Sequence, residues 1–297
     1  MKILIADGIS PYGQEILKKN GIDFHIQHYE HDELLKEIPE YDGILVRSAT
    51  KVTKDIIDAG KHLKLIARGG TGIDNIDHEY ARSNGIPVLN TPGANSASVA
   101  ELVFAHMFAL ARFIPQANIT MRKGEWNKKT YKGYELAGKT LGIVGFGRIG
   151  QIVARMAIAF GMKVLVYGQM DIQTDLEVNI VAKDELLRES DFITLHVPKK
   201  AQNIITKAEF ELMKPTAFII NTSRGGVVNE DDLLEALQSG KIAGAGIDAF
   251  LNEPTPNPAL VNHPSVSVTP HIGASTKEAQ DRVGIQIAEK IVAVLKK

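Results

Sequence analysis

The chain has no cysteine, which excludes disulfides, thiolate catalysis and cysteine-held metals. It lacks an excess of either charge: 34 basic and 35 acidic residues leave a net charge of -1. No global field therefore recommends nucleic acid or an anionic membrane as a partner, and a small or locally bound ligand is expected. A long apolar run is missing too. The longest, residues 99–111, is interrupted by Glu101 and His106 and is too short to span a bilayer. Residues 1–6 carry one lysine and a short apolar run cut off by Asp7, the pattern of a strand and not of a signal peptide. No internal repeat or low-complexity segment stands out. These absences point to a soluble, cytoplasmic protein, and 297 residues suffice for about two domains.

What is present is an alternation of short apolar runs and amphipathic segments. Residues 3–6, 24–26, 43–46 and 63–67 are expected as strands, with helices near 12–19, 32–38 and 54–59 between them. This is the mark of a parallel α/β sheet. Ligands in such sheets sit beyond the carboxyl ends of the strands. Arg47 and Arg68 each follow a run directly, and Gly69, Gly70 and Gly72 surround Thr71. Exposed backbone N–H groups beside a guanidinium suit a carboxylate or a phosphate; two surface arginines and a flexible turn fit the pattern equally well.

Residues 90–98 form a turn-rich break, after which Ser98 and Glu101 have the spacing of a capping box for a helix through about residue 113. The small and apolar residues of this helix imply burial on more than one side. Pro115 ends or kinks it, and a second segment leads to Trp126, Lys128 and Lys129.

The stretch that organises the chain is residues 139–150. An apolar run, 141–144, precedes Gly145, Gly147 and Gly150, which have G-x-G-x-x-G spacing. A helix over 149–160 and a strand over 163–167 complete a βαβ unit, the context in which that spacing reads as a dinucleotide-binding turn. The first glycine permits the tight turn, the second the approach of a pyrophosphate, and the third close packing of helix on strand. Further strands are expected at 192–195, 217–221 and 242–247. A second Ser-x-x-Glu pair, Ser275 and Glu278, heads a helix that runs to the end of the chain.

Three late segments carry a resemblance: Asn221-Thr-Ser-Arg-Gly-Gly226, Gly246-Ile-Asp-Ala-Phe-Leu-Asn-Glu-Pro254 and Thr269-Pro-His-Ile-Gly-Ala274. In order and context they resemble the signatures of the D-isomer-specific 2-hydroxyacid dehydrogenases, and the likeness extends over nearly the whole chain. Residues 45–53, 67–77, 90–102 and 124–129 are most similar to the 3-phosphoglycerate dehydrogenases of that family, in a short form without a C-terminal regulatory domain.

The resemblance implies an α/β fold of two Rossmann-like, doubly wound parallel-sheet domains with the active site in the cleft between them. Residues 1–94 and 273–297 would form the substrate domain and 95–272 the NAD domain, with cleft closure excluding water. It further implies NAD-dependent oxidation of D-3-phosphoglycerate to 3-phosphohydroxypyruvate, the first step of serine biosynthesis. His271 would act as the acid/base, Glu253 would hold its ring and favour the imidazolium, and Arg224 would clamp the substrate carboxylate.

For the cofactor it implies Thr71, Gly145, Gly147, Arg148, Ile149, Gly150, Gly168, Gln169, His196, Val197, Pro198, Thr222, Ser223, Arg224, Asp248, His271, Gly273 and Ala274, with Asp248 on the carboxamide and His196 lining by its backbone. The family usually ends its second strand in Tyr-Asp, whose carboxylate takes the ribose hydroxyls; this chain has Tyr167-Gly168-Gln169. NADP use calls for an arginine there, and residues 168–171 supply none. NAD with weakened affinity or discrimination is expected, with Gln169 or Asp171 replacing part of the contact. For the substrate, Arg47 and Arg68 would take the phosphate, Gly70 would offer a backbone N–H to the carboxylate with Gly69 also at the substrate, and Lys128 would reach a partner subunit's site, implying a homodimer around residues 98–126. The rivals are a glyoxylate or hydroxypyruvate reductase of the same fold and, from another class, an NADH-sensing co-repressor. His25, His28 and His31 suggest a metal site by spacing alone; a strand edge running into a polar turn explains them, and no metal is expected.

Overall fold

Strands buried on both faces read as continuous aliphatic runs instead of alternating ones, and runs of two to five residues build two parallel sheets here. The computed structural model describes residues 1–168, 174–198 and 200–296. They fall into two units, 1–95 with 274–297, and 96–273.

The first unit opens with β1 (Lys2–Ile5), α1 (Pro11–Lys19), β2 (Asp23–Ile26), α2 (His31–Glu37), β3 (Gly43–Val46), α3 (Lys54–Ala59), β4 (Leu65–Arg68), α4 (His78–Ser83) and β5 (Val88–Leu89). The second begins with α5 (Ser96–Ala111) and α6 (Ile114–Arg122). It continues through β6 (Thr140–Val144), α7 (Arg148–Ala159), β7 (Lys163–Tyr167), β8 (Asn179–Ile180), α8 (Lys183–Glu189) and β9 (Phe192–Leu195). It ends with α9 (Lys207–Leu212), β10 (Phe218–Asn221), α10 (Glu230–Gln238), β11 (Gly244–Ile247), α11 (Pro258–Val261) and β12 (Val266–Val268). The last helix, α12 (Lys277–Leu295), belongs to the first unit.

The first unit has a five-stranded sheet in the order β2-β1-β3-β4-β5, all pairs parallel. Successive side chains point to opposite faces, and the core divides accordingly. Leu4, Ile44, Val46 and Ile66 pack with Leu34 and Ile56 on one face. Ile3, Ile5, Leu45 and Leu65 pack with Leu17 of α1 and Ile287 and Ile291 of α12 on the other. The second unit has a seven-stranded parallel sheet, β12-β11-β10-β9-β6-β7-β8. Its order reverses at β6, where crevices form in doubly wound sheets.

Two expected helix starts are corrected. α5 begins at Ser96, so Ser98 is buried inside the first turn and Glu101 is exposed. Residues three apart share a helix face, so Ser-x-x-Glu occurs within a helix as easily as at its start. For α12 the cap is Thr276, whose hydroxyl accepts from the Ala279 N–H, and not Ser275. Pro115 lies in the first turn of α6, where a missing N–H costs nothing. Phe113, in the left-handed region at φ 53°, separates the two helices, which bend by 62°. Among the described residues no single helix is long and apolar enough to cross a membrane.

Candidate active site

The turn between β6 and α7 uses its three glycines differently. Gly145 has φ 95°, and a Cβ there would lie 2.3 Å from the His196 carbonyl oxygen. A Cβ on Gly150 would lie 2.5 Å from the Gly145 oxygen. These two are demanded by packing. A Cβ on Gly147 would meet nothing within 4 Å, so Gly147 opens onto free space at the start of α7. No side chain caps that helix, and its uncapped amides and dipole favour an anion. Arg148 is exposed and Ile149 half-buried in its first turn.

At the same carboxyl edge of the sheet lie two buried polar atoms with no partner among the described residues, His196 Nδ1, beside the turn, and Thr222 Oγ1, one strand further on. They follow β9 and β10. Burial pushes the His196 pKa down to about 3, so the ring is neutral, and its Nε2 lies 3.1 Å from the Thr194 hydroxyl. Val197 packs at Gly145, and Pro198 follows. Buried polar atoms are nearly always paired; two orphans at the edge that carries an open glycine and an uncapped helix fit the dinucleotide. At the end of β7, Gly168 is half-buried and offers no carboxylate to the ribose; Gln169 and Asp171 lie outside the described residues.

Because the strands are parallel, the loops after β10, β11 and β12 leave the same sheet edge. They carry Arg224, Glu253 and His271. The His271 Nδ1 lies 3.0 and 2.9 Å from the two Glu253 oxygens. An ionised carboxylate only accepts, so Nδ1–H donates and Nε2 is left to carry or take a proton. The hydrogen bond to Glu253 raises the His271 pKa above its ordinary value, outweighing burial. Burial pushes Glu253 up, but the His271 and Phe250 N–H bonds and the charges of His271 and Arg224 hold it below the usual range. His271 has φ 53°, a conformation uncommon for non-glycine residues and characteristic of functional sites.

The Arg224 loop is pinned from below. Asn221 Oδ1 accepts from the Ser223 N–H and hydroxyl, Asn221 Nδ2 donates to the Arg224 carbonyl, and Arg224 Nη1 donates to the Ser223 carbonyl. A Cβ on Gly225 would sit 1.9 Å from the Phe250 oxygen, so this loop and the Glu253 loop are packed backbone to backbone. Asp248 is fully buried. Its oxygens accept from the Thr269 hydroxyl and the Ile272 N–H (Oδ1) and from the Gly273 N–H (Oδ2), which occupies most of its acceptor capacity.

A His–Glu pair and an arginine loop at the sheet edge that also carries a G-x-G-x-x-G turn have counterparts. Residues 104–273 match the D-isomer specific 2-hydroxyacid dehydrogenase NAD-binding domain. The chain belongs to that family. It is a dehydrogenase of the D-2-hydroxyacid class, with NAD as cofactor. It is 51% identical over 283 residues to a hydroxypyruvate reductase of Thermotoga maritima, covering 94% of this chain and 92% of the relative. It is 44% identical over 303 residues to a D-3-phosphoglycerate dehydrogenase of Archaeoglobus fulgidus; all of this chain is covered, but only 58% of that relative's length. Among solved structures it is similar to an NAD-dependent formate dehydrogenase from Staphylococcus aureus in complex with NAD. The TM-score is 0.87 at 31% identity, covering 98% of this chain and 94% of that one.

In the first unit, Arg47 and Arg68 follow the neighbouring strands β3 and β4. Arg68 folds back under Gly70: a Cβ on Gly70, at φ 155°, would lie 2.3 Å from Arg68 Nη1, and Arg68 Nε donates to the Arg47 carbonyl. Arg47 and Gly69 line a cavity of about 330 Å³ with Asp7, Ser10, Lys277 and Asp281; Arg68 and Gly70 are outside its lining. The Thr71 hydroxyl donates to Asn95 Oδ1, and Ala274 opens the unit's second segment. Lys128 lies in an exposed stretch next to Trp126. His25 contacts the Tyr41 hydroxyl, His28 faces Asp7, and His31 pairs with Asp55.

Asp7 was not singled out from sequence. It accepts from the Arg47 N–H, the Thr50 N–H and the Thr50 hydroxyl, and so fixes the loop that carries Arg47. Its position just after β1, at a strand's carboxyl end, was the available signal. Glu230, whose Oε1 accepts from the Leu251 N–H beside the Glu253 loop, carries no such mark.

Proposed function

We propose that the protein catalyses NAD-dependent oxidation of D-3-phosphoglycerate to 3-phosphohydroxypyruvate. The observation that carries the phosphate is Arg47. It follows the carboxyl end of β3 and lines a cavity at the β1/β3 switch point of the first sheet, a lining that also includes Lys277. The lining also holds Asp7 and Asp281; the Asp7 oxygens accept from the Arg47 and Thr50 N–H groups and the Thr50 hydroxyl, and the Arg47 guanidinium is the group on this wall whose planar fork suits a phosphate.

The bound nicotinamide supplies the hydride acceptor. His271 Nε2 takes the C2 hydroxyl proton, and Glu253 holds the ring and balances the charge that forms. Arg224 binds the carboxylate through its planar fork. Thr222, His196 and the α7 N-terminus hold the cofactor. The exposed α6 face and Trp126 fit a homodimer, with Lys128 serving the partner's site.

A second assignment, reduction of unphosphorylated hydroxypyruvate, is favoured by the Thermotoga maritima relative, whose length this chain nearly matches. Arg47→Ala separates the two. If Arg47 binds phosphate, its loss raises KM for D-3-phosphoglycerate by about tenfold or more and leaves KM for D-glycerate within about twofold, as expected for one charge-assisted contact. Equal effects on both substrates would remove the phosphate assignment.

A further inference from the structure

The second unit buries one histidine that the chemistry above does not use. His106, on α5, is 2% exposed. It sits over β11 where Gly246 leaves room; a Cβ on Gly246 would come within 2.8 Å of His106 Cβ. Its Nδ1 lies 2.9 Å from Ser267 Oγ and its Nε2 3.1 Å from Thr269 Oγ1. Burial lowers its pKa, so the ring is neutral and has one donor and one acceptor nitrogen.

Counting protons fixes the direction of the chain. The Thr269 hydroxyl has one proton, and it goes to Asp248 Oδ1 at 2.6 Å, since a carboxylate cannot donate. Thr269 therefore only accepts from the ring, so His106 carries its proton on Nε2. The other ring nitrogen then accepts from the Ser267 hydroxyl. Three hydrogen bonds run one way, from Ser267 through His106 and Thr269 to the buried carboxylate. Asp248 in turn accepts the Ile272 and Gly273 N–H groups at 2.8 Å. The residues on both sides of His271 are thus tied to one carboxylate, while His271 itself sits at φ 53°.

We propose that His106 is a positioning residue for His271: through Thr269 and Asp248 it fixes the 269–273 backbone so that the ring meets Glu253, an inference that rests on His271 being the acid/base. A residue that merely filled space would be served by leucine or methionine, which need no partners. Here an apolar helix face carries instead a desolvated imidazole with both nitrogens engaged. The groups facing His271 are Glu253, Asp248 and Arg224, and the link from His106 through Thr269 ends on Asp248.

The test compares His106→Leu with His106→Gln, whose amide can still donate to Thr269. In His106→Leu, kcat on the faster of D-3-phosphoglycerate and hydroxypyruvate is expected to fall about tenfold, the scale of a slightly misplaced catalytic group. NADH affinity by fluorescence titration falls by less than kcat, because the phosphate-binding β6–α7 turn is untouched while Asp248 and Gly273 shift only slightly. In the cofactor-free protein, the His271 ring titration followed by NMR moves down toward the ordinary histidine value. His106→Gln restores most of both. Thr269→Val reproduces the loss and Thr269→Ser does not, a contrast that stands even if His106→Leu fails to fold. Adding His106→Leu to Thr269→Val costs little more, because both act through one link. A wild-type rate and titration in His106→Leu, a glutamine variant no better than leucine, or additive losses would overturn the proposal. His271→Asn distinguishes the two levels. If it keeps turnover, the acid/base assignment falls and the positioning role with it. If it is inactive while His106→Leu is unaffected, the positioning role alone falls.

Discussion

At the scale of the residue, the site turns on the His271–Glu253 pair. With Nδ1–H bound to Glu253 and the His271 pKa raised, oxidation, which needs a free Nε2, speeds up as pH rises through that pKa. Reduction, which needs the imidazolium, slows over the same interval. Glu253→Gln removes the charge that raises the pKa, so both limbs should move to lower pH in a kcat/KM profile; unmoved limbs would show that Glu253 does not hold the ring. His271→Asn should lose about 10²–10⁴-fold in kcat, the usual worth of a general acid/base, with NADH binding kept. Arg224, Glu253 and His271, the residues proposed for catalysis, could be singled out because each stands in a recognisable segment just beyond a strand. His106 was not. It lies within an apolar helical run, where a histidine reads as an interruption, and its partners at 267 and 269 are more than 150 positions away.

At the scale of the element, the β6–α7 turn separates packing from binding. Gly150→Ala forces a methyl against the Gly145 carbonyl and should destabilise by about 1–3 kcal/mol, the cost of overpacking. Gly147→Ala places its methyl in open space, so thermal unfolding should shift little while NADH affinity by fluorescence titration falls about tenfold or more, as contact with the pyrophosphate is blocked. An unfolding shift as large as that of Gly150→Ala would make Gly147 structural. The long strands and helices were readable from continuous apolar runs and 3.6-residue periodicity. β5 and β8, two residues each, were not, since such lengths carry no period. The caps were misread at α5 and α12 because a hydroxyl three residues before a glutamate satisfies the pattern wherever it falls, and only the backbone decides which hydroxyl stands at the boundary.

At the scale of the molecule, α6 buries none of its residues, and Ile114, Ile119, Met121 and Trp126 are exposed. Ile114 and Met121, seven residues apart, share one face of α6, with Ile119 on another; exposed apolar residues of this kind mark an interaction face, and a second copy is the proposed occupant. Met121→Asp with Trp126→Glu should convert a dimer to a monomer in light scattering; a monomeric wild type would refute the pairing. Substrate choice was the least legible property. It depends on which side chains face the substrate: the structure keeps Arg47 and Arg68 together, as the sequence suggests, through the Arg68 Nε bond to the Arg47 carbonyl, and Arg47 lines the cavity while Arg68 turns back under Gly70.

The most direct measurement is the initial rate of NADH formation by the purified protein with D-3-phosphoglycerate, beside D-glycerate at equal concentration. The account expects D-3-phosphoglycerate to be preferred by about tenfold or more in kcat/KM, one charge-assisted contact's worth. Equal or better turnover of D-glycerate would contradict it and leave a dehydrogenase of unphosphorylated acids.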